Sequence, residues 1–382
     1  MSVEIRPVVS KGDRKRFLEL PYRLYATEKR WVPPLRIERK EHLDPAKNPF
    51  FEHADVQLFL AERDGRVVGR ISAHVDRNLN EFQDNRWGLF GFFECEDDAE
   101  AARALVDTAD AWLRERGRDR MVGPMDFTTN DECGLLIEGH ERPPIILCPW
   151  QHAYYQPLLE GACGLDKAMD LLMWELHIEG KENVNQAIWD MADAVEPKHG
   201  IVVRPMNKKD LQNEVSRFLE VYNASWERNW GFVPLNEAEA RHYAKQLKPV
   251  LDPNWAYIAE RKDDGEVVGA ALTLPDFNQV LGHVKGGRLL PFGWLAALRN
   301  RKNIDRVRVF ALGVKPEYQH TGVAARMYQM HFEAAERTPQ TWGEMGWILE
   351  TNKAMNRAME GMGGKVVRKY RLYERELSAG SG

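Results

Sequence analysis

Cysteine is scarce in this chain: Cys95, Cys133, Cys148 and Cys163 are the four present, with no CxxC pair and no zinc-like spacing. That argues against a disulfide framework or a thiolate metal site, and the thiols are expected to be reduced and mostly buried. No metal is expected. Basic excess is also missing, since 53 Lys and Arg stand against 58 Asp and Glu for a net charge of −5. Without a positive footprint to neutralise phosphates, nucleic acid is not an expected partner. Nor is there an uninterrupted apolar run of membrane-spanning length, and the opening MSVEIRPVV carries a charge inside its first apolar stretch, unlike a signal-peptide core. The expectation is a soluble protein of the cytoplasm.

What is present is an ordinary folding composition, 43% hydrophobic and 29% charged, over 382 residues. That length exceeds what one core usually serves, so two domains are expected. An internal repeat says where they lie. Glu4-Ile5-Arg6-Pro7-Val8 returns as Val202-Val203-Arg204-Pro205-Met206, and Phe17-Leu18-Glu19 as Phe218-Leu219-Glu220. Trp31-Val32-Pro33-Pro34-Leu35 answers to Phe232-Val233-Pro234-Leu235. The run from Ala61 through Asp64-Gly65 to Gly69 answers to the run from Ala259 through Asp264-Gly265 to Gly269. Four matches in order, about 200 residues apart, are the mark of a duplication.

Each copy reads as a strand, a helical stretch, a loop and a hairpin closed by Asp-Gly, whose Gly tolerates the positive φ of a tight turn. A further strand follows, over 87–93 in one copy and 307–314 in the other, leading into amphipathic helices over 99–116 and 322–337. Strands near Met121 and over 347–352 come next, and a last strand covers 366–374. Residues 183–195 read as a helix ending at Pro197 and Gly200. The expected organisation is a mixed α/β fold with a first domain over 1–180, a helical linker over 181–200 and a second domain over 201–378.

The most informative segment is VRVFALGVKPEYQHTGVAARMYQMHFEAAER, residues 307–337. An apolar strand runs into a turn, and Gln319-His320-Thr321-Gly322-Val323-Ala324 opens the helix. Gly322 and Ala324 let an anion approach the backbone, where unpaired N–H groups and the positive end of the helix dipole would meet a pyrophosphate. This segment resembles the central signature of the GNAT acyltransferase superfamily, Arg/Gln-x-x-Gly-x-Gly/Ala between strand and helix. The resemblance implies two fused GNAT domains and acyl-CoA as co-substrate. Its pyrophosphate would lie on 319–324 and its arm beside Leu312, Val314 and Asn352. The thioester oxyanion would meet a backbone N–H around Leu312 or Gly313. In that pattern a Tyr late in the following helix often protonates the departing thiolate, but Met359 occupies its place, and the closing Gly-Phe is Gly363-Gly364.

The first copy differs at the matching loop, which reads Glu94-Cys95-Glu96-Asp97-Asp98. Carboxylates at a helix start suit the dipole and repel a pyrophosphate, so this copy is not expected to bind CoA. Its unusual segments are Phe127-Thr128-Thr129-Asn130-Asp131-Glu132-Cys133-Gly134 and Pro149-Trp150-Gln151-His152-Ala153-Tyr154-Tyr155. Polar and aromatic groups gathered on loops suit ligand binding, here of the acceptor through Asn130, Tyr154 and Tyr155; aromatic packing and capping is the plainer alternative. An amine attacks a thioester only when unprotonated, so a general base is needed, and Glu350, Asp131, Glu132 and His152 are the candidates. Glu350 is favoured by its place at the end of the strand along the CoA arm, unless it merely caps the helix that Asn352 opens.

The second copy also carries an insertion over 276–305. Within 286–302, Leu289, Leu290, Phe292, Trp294 and Leu295 are bracketed by Lys285, Arg288, Arg299, Arg301 and Lys302. That pattern suits a segment lying on an anionic membrane surface, with Trp294 near an amphiphilic substrate, or else a lid over the protein's own cleft. The duplicated arrangement with the Thr-Asn-Asp-Glu and Pro-Trp…Tyr-Tyr segments also resembles the bacterial ceramide synthase group. This implies transfer of a fatty acyl group from acyl-CoA to a long-chain base. Two alternatives stay open: acetyl transfer to a small soluble amine, and a non-catalytic acyl-CoA-binding regulator, which Met359 favours.

Overall fold

The computed structural model describes residues 2–177, 182 and 184–377. The expected boundary at 180/181 and the domain end at 378 lie outside the described residues. By packing, the chain forms two compact units, neither contiguous in sequence. The first takes residues up to 171 together with 281–297 and those from 368 onward; the second takes 172–280 and 298–367.

In chain order the first copy runs β1 (Glu4–Pro7), α1 (Lys11–Leu24), α2 (Arg36–His42), β2 (Ala54–Arg63), β3 (Arg66–Asp76), α3 (Arg77–Phe82), β4 (Trp87–Cys95), α4 (Ala99–Arg114), β5 (Arg120–Gly123), β6 (Leu135–Glu138), α5 (Tyr155–Pro157) and β7 (Asp166–His177). The second runs α6 (Gln186–His199), β8 (Ile201–Pro205), α7 (Leu211–Trp226), α8 (Glu237–Leu247), β9 (Ala256–Arg261), β10 (Val267–Pro275), α9 (Asn278–Leu281), α10 (Gly293–Asn300), β11 (Arg306–Val314), α11 (Val323–Ala335), β12 (Trp342–Leu349), α12 (Lys353–Gly361) and β13 (Lys365–Glu376).

The first unit's sheet is antiparallel from β1 to β4, after which β5 joins β4 in parallel. Both β5 and β6 pair with the Arg368–Glu376 part of β13, the last strand among the described residues. Leu105, Val106, Ala109 and Leu113 on α4 pack on the sheet as one buried face at helical spacing. The second unit repeats the pattern: β8 to β11 are antiparallel, β12 is parallel to β11, and α11 packs its buried face on the sheet. The helix over 186–199 packs against α11 and is part of this unit.

The two sheets share the irregularity that makes a cleft. A register shift interrupts β3 against β4 between Arg70 and Ser72, with Phe92 at φ 49°, and another interrupts β10 against β11 between Leu272 and Thr273. A bulge of this kind bends its strand and raises its twist. The parallel pairing then ends, after Leu89↔Val122 in one unit and Val309↔Met345 in the other.

Two expectations need correction. The strand read over 347–352 is β12, which starts at Trp342 and ends at Leu349, leaving Glu350 in the turn beyond it. Gly343 and Gly346 weakened the strand signal in its first half. At Gly343 the bare Cα is required, because a Cβ would come within 2.7 Å of Val307 Cγ2. The helices are also shorter than read, ending at Arg114 and Ala335.

Candidate functional site

A 3-10 helix over Pro316–Thr321 carries the chain from Val314 to Gly322 at the start of α11. Lys315 N–H donates to Val268 O at 2.9 Å, and Lys315 Nζ reaches Glu220 Oε1 at 2.7 Å and Glu266 Oε1 at 3.2 Å. Tyr318 OH donates to Glu266 Oε2 at 2.6 Å, and Thr321 Oγ1 to Tyr318 O at 2.6 Å. Gln319 Nε2 meets Val314 O at 3.4 Å. The loop is thus held by its own polar groups. Gly322 then takes φ 85°, and a Cβ there would stand 2.8 Å from Met191 O, so both conformation and space demand glycine. No side chain caps α11, so the N–H groups after Gly322, at Val323 and Ala324, head the helix without a side-chain acceptor. This is the arrangement that receives a phosphate.

Downstream, Asn352 Oδ1 accepts from Met355 N–H at 3.1 Å and caps α12. Glu350 and Asn352 share the turn at the end of β12. Met359 is fully buried in the core. Leu312 and Val314 stand on the last residues of β11, with Gly313 between them packed against Trp226.

The matching helix start in the first unit is built the other way. Asp98 caps α4, accepting from Glu100 N–H and Ala101 N–H at 3.1 Å each, and it also pairs with Arg63 at 2.7 Å. Glu96 is held by Arg23 at 2.6 Å and by Arg66. These ion pairs hold both carboxylates below their ordinary pKa against the opposing effect of burial. The chain's own carboxylate occupies the anion site.

Glu94 faces inward. Its Oε2 accepts from Tyr25 OH at 2.6 Å and Tyr155 OH at 2.8 Å, and Arg70 lies 3.8 Å from Oε1. Burial pushes the Glu94 carboxyl up, with Arg70 and the two hydroxyls opposing. Tyr155 OH also accepts from Cys95 N–H at 3.1 Å, while Tyr154 OH donates to Cys95 O at 2.8 Å. His152 is stacked between Tyr25 and Tyr154 at 4.8 and 5.2 Å, and burial lowers its pKa. The ring is therefore neutral near pH 7.

The Thr-Asn-Asp-Glu loop divides in two. Asp131 closes the loop on itself, its N–H donating to Thr128 O at 3.1 Å, and Asn130 N–H donates to Thr128 Oγ1 at 3.0 Å. Glu132 instead pairs with Arg39, which lies 3.7 Å from Asp126. Burial pushes Asp126 up to about 7; Glu132 adds to the rise, and Arg39 opposes it. Arg39, Arg70, Glu94, Asp126 and Glu132 interact as one electrostatic cluster, with Arg70 buried and the others partly so. Sequence reasoning missed Arg39, Arg70, Asp126 and Tyr25. The available signal was Arg70, a lone cation within the buried strand Val67 to Val75.

The insertion folds onto the first unit. Arg36 Nε donates to Gly286 O at 2.7 Å, and Gly287 sits against Pro34 and Tyr22. Leu290 and Phe292 are 78% and 73% exposed, with Trp294 at 48% and Leu298 at 63%, so four of the large apolar side chains exposed by this chain fall within nine residues. Among the described residues no helix is long and apolar enough to cross a membrane.

Among solved structures, the chain is similar to a tandem GNAT protein from the clavulanic acid biosynthesis pathway, at TM-score 0.59 and 13% identity over 99% of both chains. It is also similar to a probable N-acyltransferase from Enterococcus faecalis V583, at TM-score 0.53 and 11% identity over 99% of this chain and 74% of that one. With the duplicated sheets and the uncapped helix after Gly322, these likenesses define a tandem GNAT fold. No family model matches the chain. Among curated proteins, it is 38% identical to the bacterial ceramide synthase of Caulobacter vibrioides over 98% of each chain, and 34% identical to protein YghO of Escherichia coli over 98% of this chain and 95% of that one. The chain belongs to the family of these two proteins.

Proposed function

We infer that this acyl-CoA-dependent N-acyltransferase moves a fatty acyl group onto the amine of a long-chain amphiphilic base, as the name of its Caulobacter relative describes for that protein. The observation that carries the reading is the uncapped start of α11 at Gly322, a phosphate site with no side chain of its own to fill it. Residues 319–324 take the CoA pyrophosphate, and Leu312, Val314 and Asn352 flank the arm. The amine nitrogen attacks the thioester carbonyl carbon, the C–N bond forms as the C–S bond breaks, and CoA departs as a thiolate that takes its proton from solvent. Glu350 receives the proton lost by the amine. Asn130, Tyr154 and Tyr155 bind the acceptor, and Asp131, Glu132 and His152 are the alternative bases.

The exposed residues around Phe292 and Trp294 rest on the anionic inner face of the cytoplasmic membrane, where the acceptor resides. Burying a few such side chains contributes ~1.5 to 3 kcal/mol each, and neighbouring cations about 1 kcal/mol apiece, enough for reversible attachment. The test is mass spectrometry of products from purified protein offered palmitoyl-CoA with sphinganine and, separately, acetyl-CoA with a small soluble amine. An N-palmitoyl product supports the reading. N-acetylation of the small amine alone would replace it with a soluble acetyltransferase, and no product with either pair would favour a regulator.

A further inference from the structure

The second unit contains an apolar cavity of about 70 Å³, between α11 and the sheet. Its floor is formed by Val307 and Val309 on β11 and by Gly343 and Met345 on β12, which are register partners in pairs. Residues two apart on a strand share a face, so these four mark one side of the sheet. Tyr328, His331, Phe332 and Ala335 of α11 form the roof. They span about 10 Å of helix axis.

Two features connect the cavity to the CoA loop. Val309↔Met345 is the last registered pair before β11 and β12 part, so the cavity begins where the cleft ends. Its roof is also the same helix whose start carries the phosphate site: Gly322 heads α11 and Ala335 closes it, about 20 Å further on. An arm entering from Gly322 and running toward the parting of the strands points along α11 toward this space.

The polar groups in the wall are satisfied in ways that keep it apolar. His331 Nδ1 donates to Met327 O at 2.7 Å, so its Nε2 accepts from Thr273 Oγ1, also at 2.7 Å. Burial lowers the His331 pKa to about 4, leaving the ring neutral. His177 lies flat on Trp342, with ring centroids 5.5 Å apart. Glu344 stands opposite Arg308 in the strand register. A concave surface whose lining is almost wholly apolar suits a hydrocarbon ligand.

We propose that this cavity receives the last few methylenes of the acyl donor's hydrocarbon tail, with Ala335 in its wall limiting the length of chain accepted. The proposal rests on the acyl-CoA reading above and adds where the chain lies. Ala335→Leu takes up part of that space. It should lower kcat/KM for palmitoyl-CoA about tenfold, which is the size of effect one or two methylenes carry in an apolar pocket, while leaving hexanoyl-CoA turnover and the affinity for free CoA unchanged. Equal losses with both donors, or no loss with either, would overturn it. Should that variant misfold, the wild-type protein offered a palmitoyl-CoA bearing a diazirine at the chain terminus gives the answer directly. Photolabelling within 328–335 or 342–345 supports the assignment, and labelling confined to other segments rejects it. A protein that transfers no acyl group from any CoA thioester, yet is labelled here, would fail the function and keep the site.

Discussion

Asp98 and Gly322 hold matching places in the two copies, each at the point where a bulged strand has just ended and the long helix on the sheet begins. Asp98 spends its carboxylate on the N–H groups of Glu100 and Ala101, whereas Gly322 offers nothing and leaves its helix open. A capped start is a finished structural element, stabilised by about 1 kcal/mol. An open start forgoes that stability and keeps a place for an anion. The duplicated fold therefore retains its shape in both copies while only one keeps the phosphate site.

The strongest way to break this contrast is to close the open end. Gly322→Glu or Ala324→Asp puts a carboxylate where the pyrophosphate belongs, and like charges brought together cost several kcal/mol, so acyl-CoA affinity by calorimetry should fall ~100-fold or more. Ala324 avoids the positive φ of Gly322 and so separates charge from backbone strain. Retained binding by a folded Ala324→Asp variant would remove the CoA site from this loop. Of comparable size, Glu350→Gln should reduce kcat by ~10²- to 10⁴-fold with little change in acyl-CoA affinity. An unaltered pH–rate profile would move the base to Glu132, Asp131 or His152.

The insertion, whose residues 281–297 pack in the first unit, tests whether that unit faces lipid. Phe292→Asp combined with Trp294→Asp should abolish sedimentation with anionic liposomes and lower turnover of a long-chain amine about tenfold, while sparing a short soluble analogue. Equal loss of both activities would make the segment a lid instead. The reciprocal of the first experiment has a smaller effect: Asp98→Ala should cost about 1 kcal/mol of stability in denaturant titration and leave acyl-CoA affinity unchanged.

A test of a different kind concerns Asp126, which faces Glu132, Arg39, Arg70 and the Phe92 N–H. Burial raises its pKa from 3.8 to about 7, so between these values the folded chain binds a proton that the unfolded chain has released. The resulting stability is present at low pH and lost as pH rises toward 7. Asp126→Asn should therefore gain stability relative to the wild type on going from pH 5 to pH 8. A constant difference across that range would show that Asp126 titrates normally.

The duplication, the hairpins and the loop before α11 were legible because each depends on local pattern: repeated segments, Asp-Gly turns, and glycine between an apolar strand and an amphipathic helix. The beginning of β12 was not, since Gly343 weakens the strand signal and its purpose, admitting Val307, belongs to a neighbour 36 residues away in the chain. The electrostatic cluster around Arg39 and Arg70 escaped for the same reason. Arg39 lies in a short polar helix and meets Glu132 only through the fold, so no spacing in the sequence joins them. Glu94 was noticed for its charge, but its engagement by Tyr25 and Tyr155 depends on side chains 69 and 61 residues away.

Strand β13 has a bearing on how such a protein is made. Residues 368–376 supply the pairing partner of both β5 and β6, and Arg371 clamps Asp170 of the same unit through two hydrogen bonds of 2.8 and 3.0 Å. The first unit's residues up to 171 are made early, yet their sheet cannot be completed until residues 368–376, which follow the second copy, have left the ribosome. Throughout synthesis of the second copy, the first waits with an open edge of the kind that invites wrong partners. A gene fragment cut at the repeat boundary would deliver that unfinished sheet permanently, so the two copies are tied into one unit of inheritance.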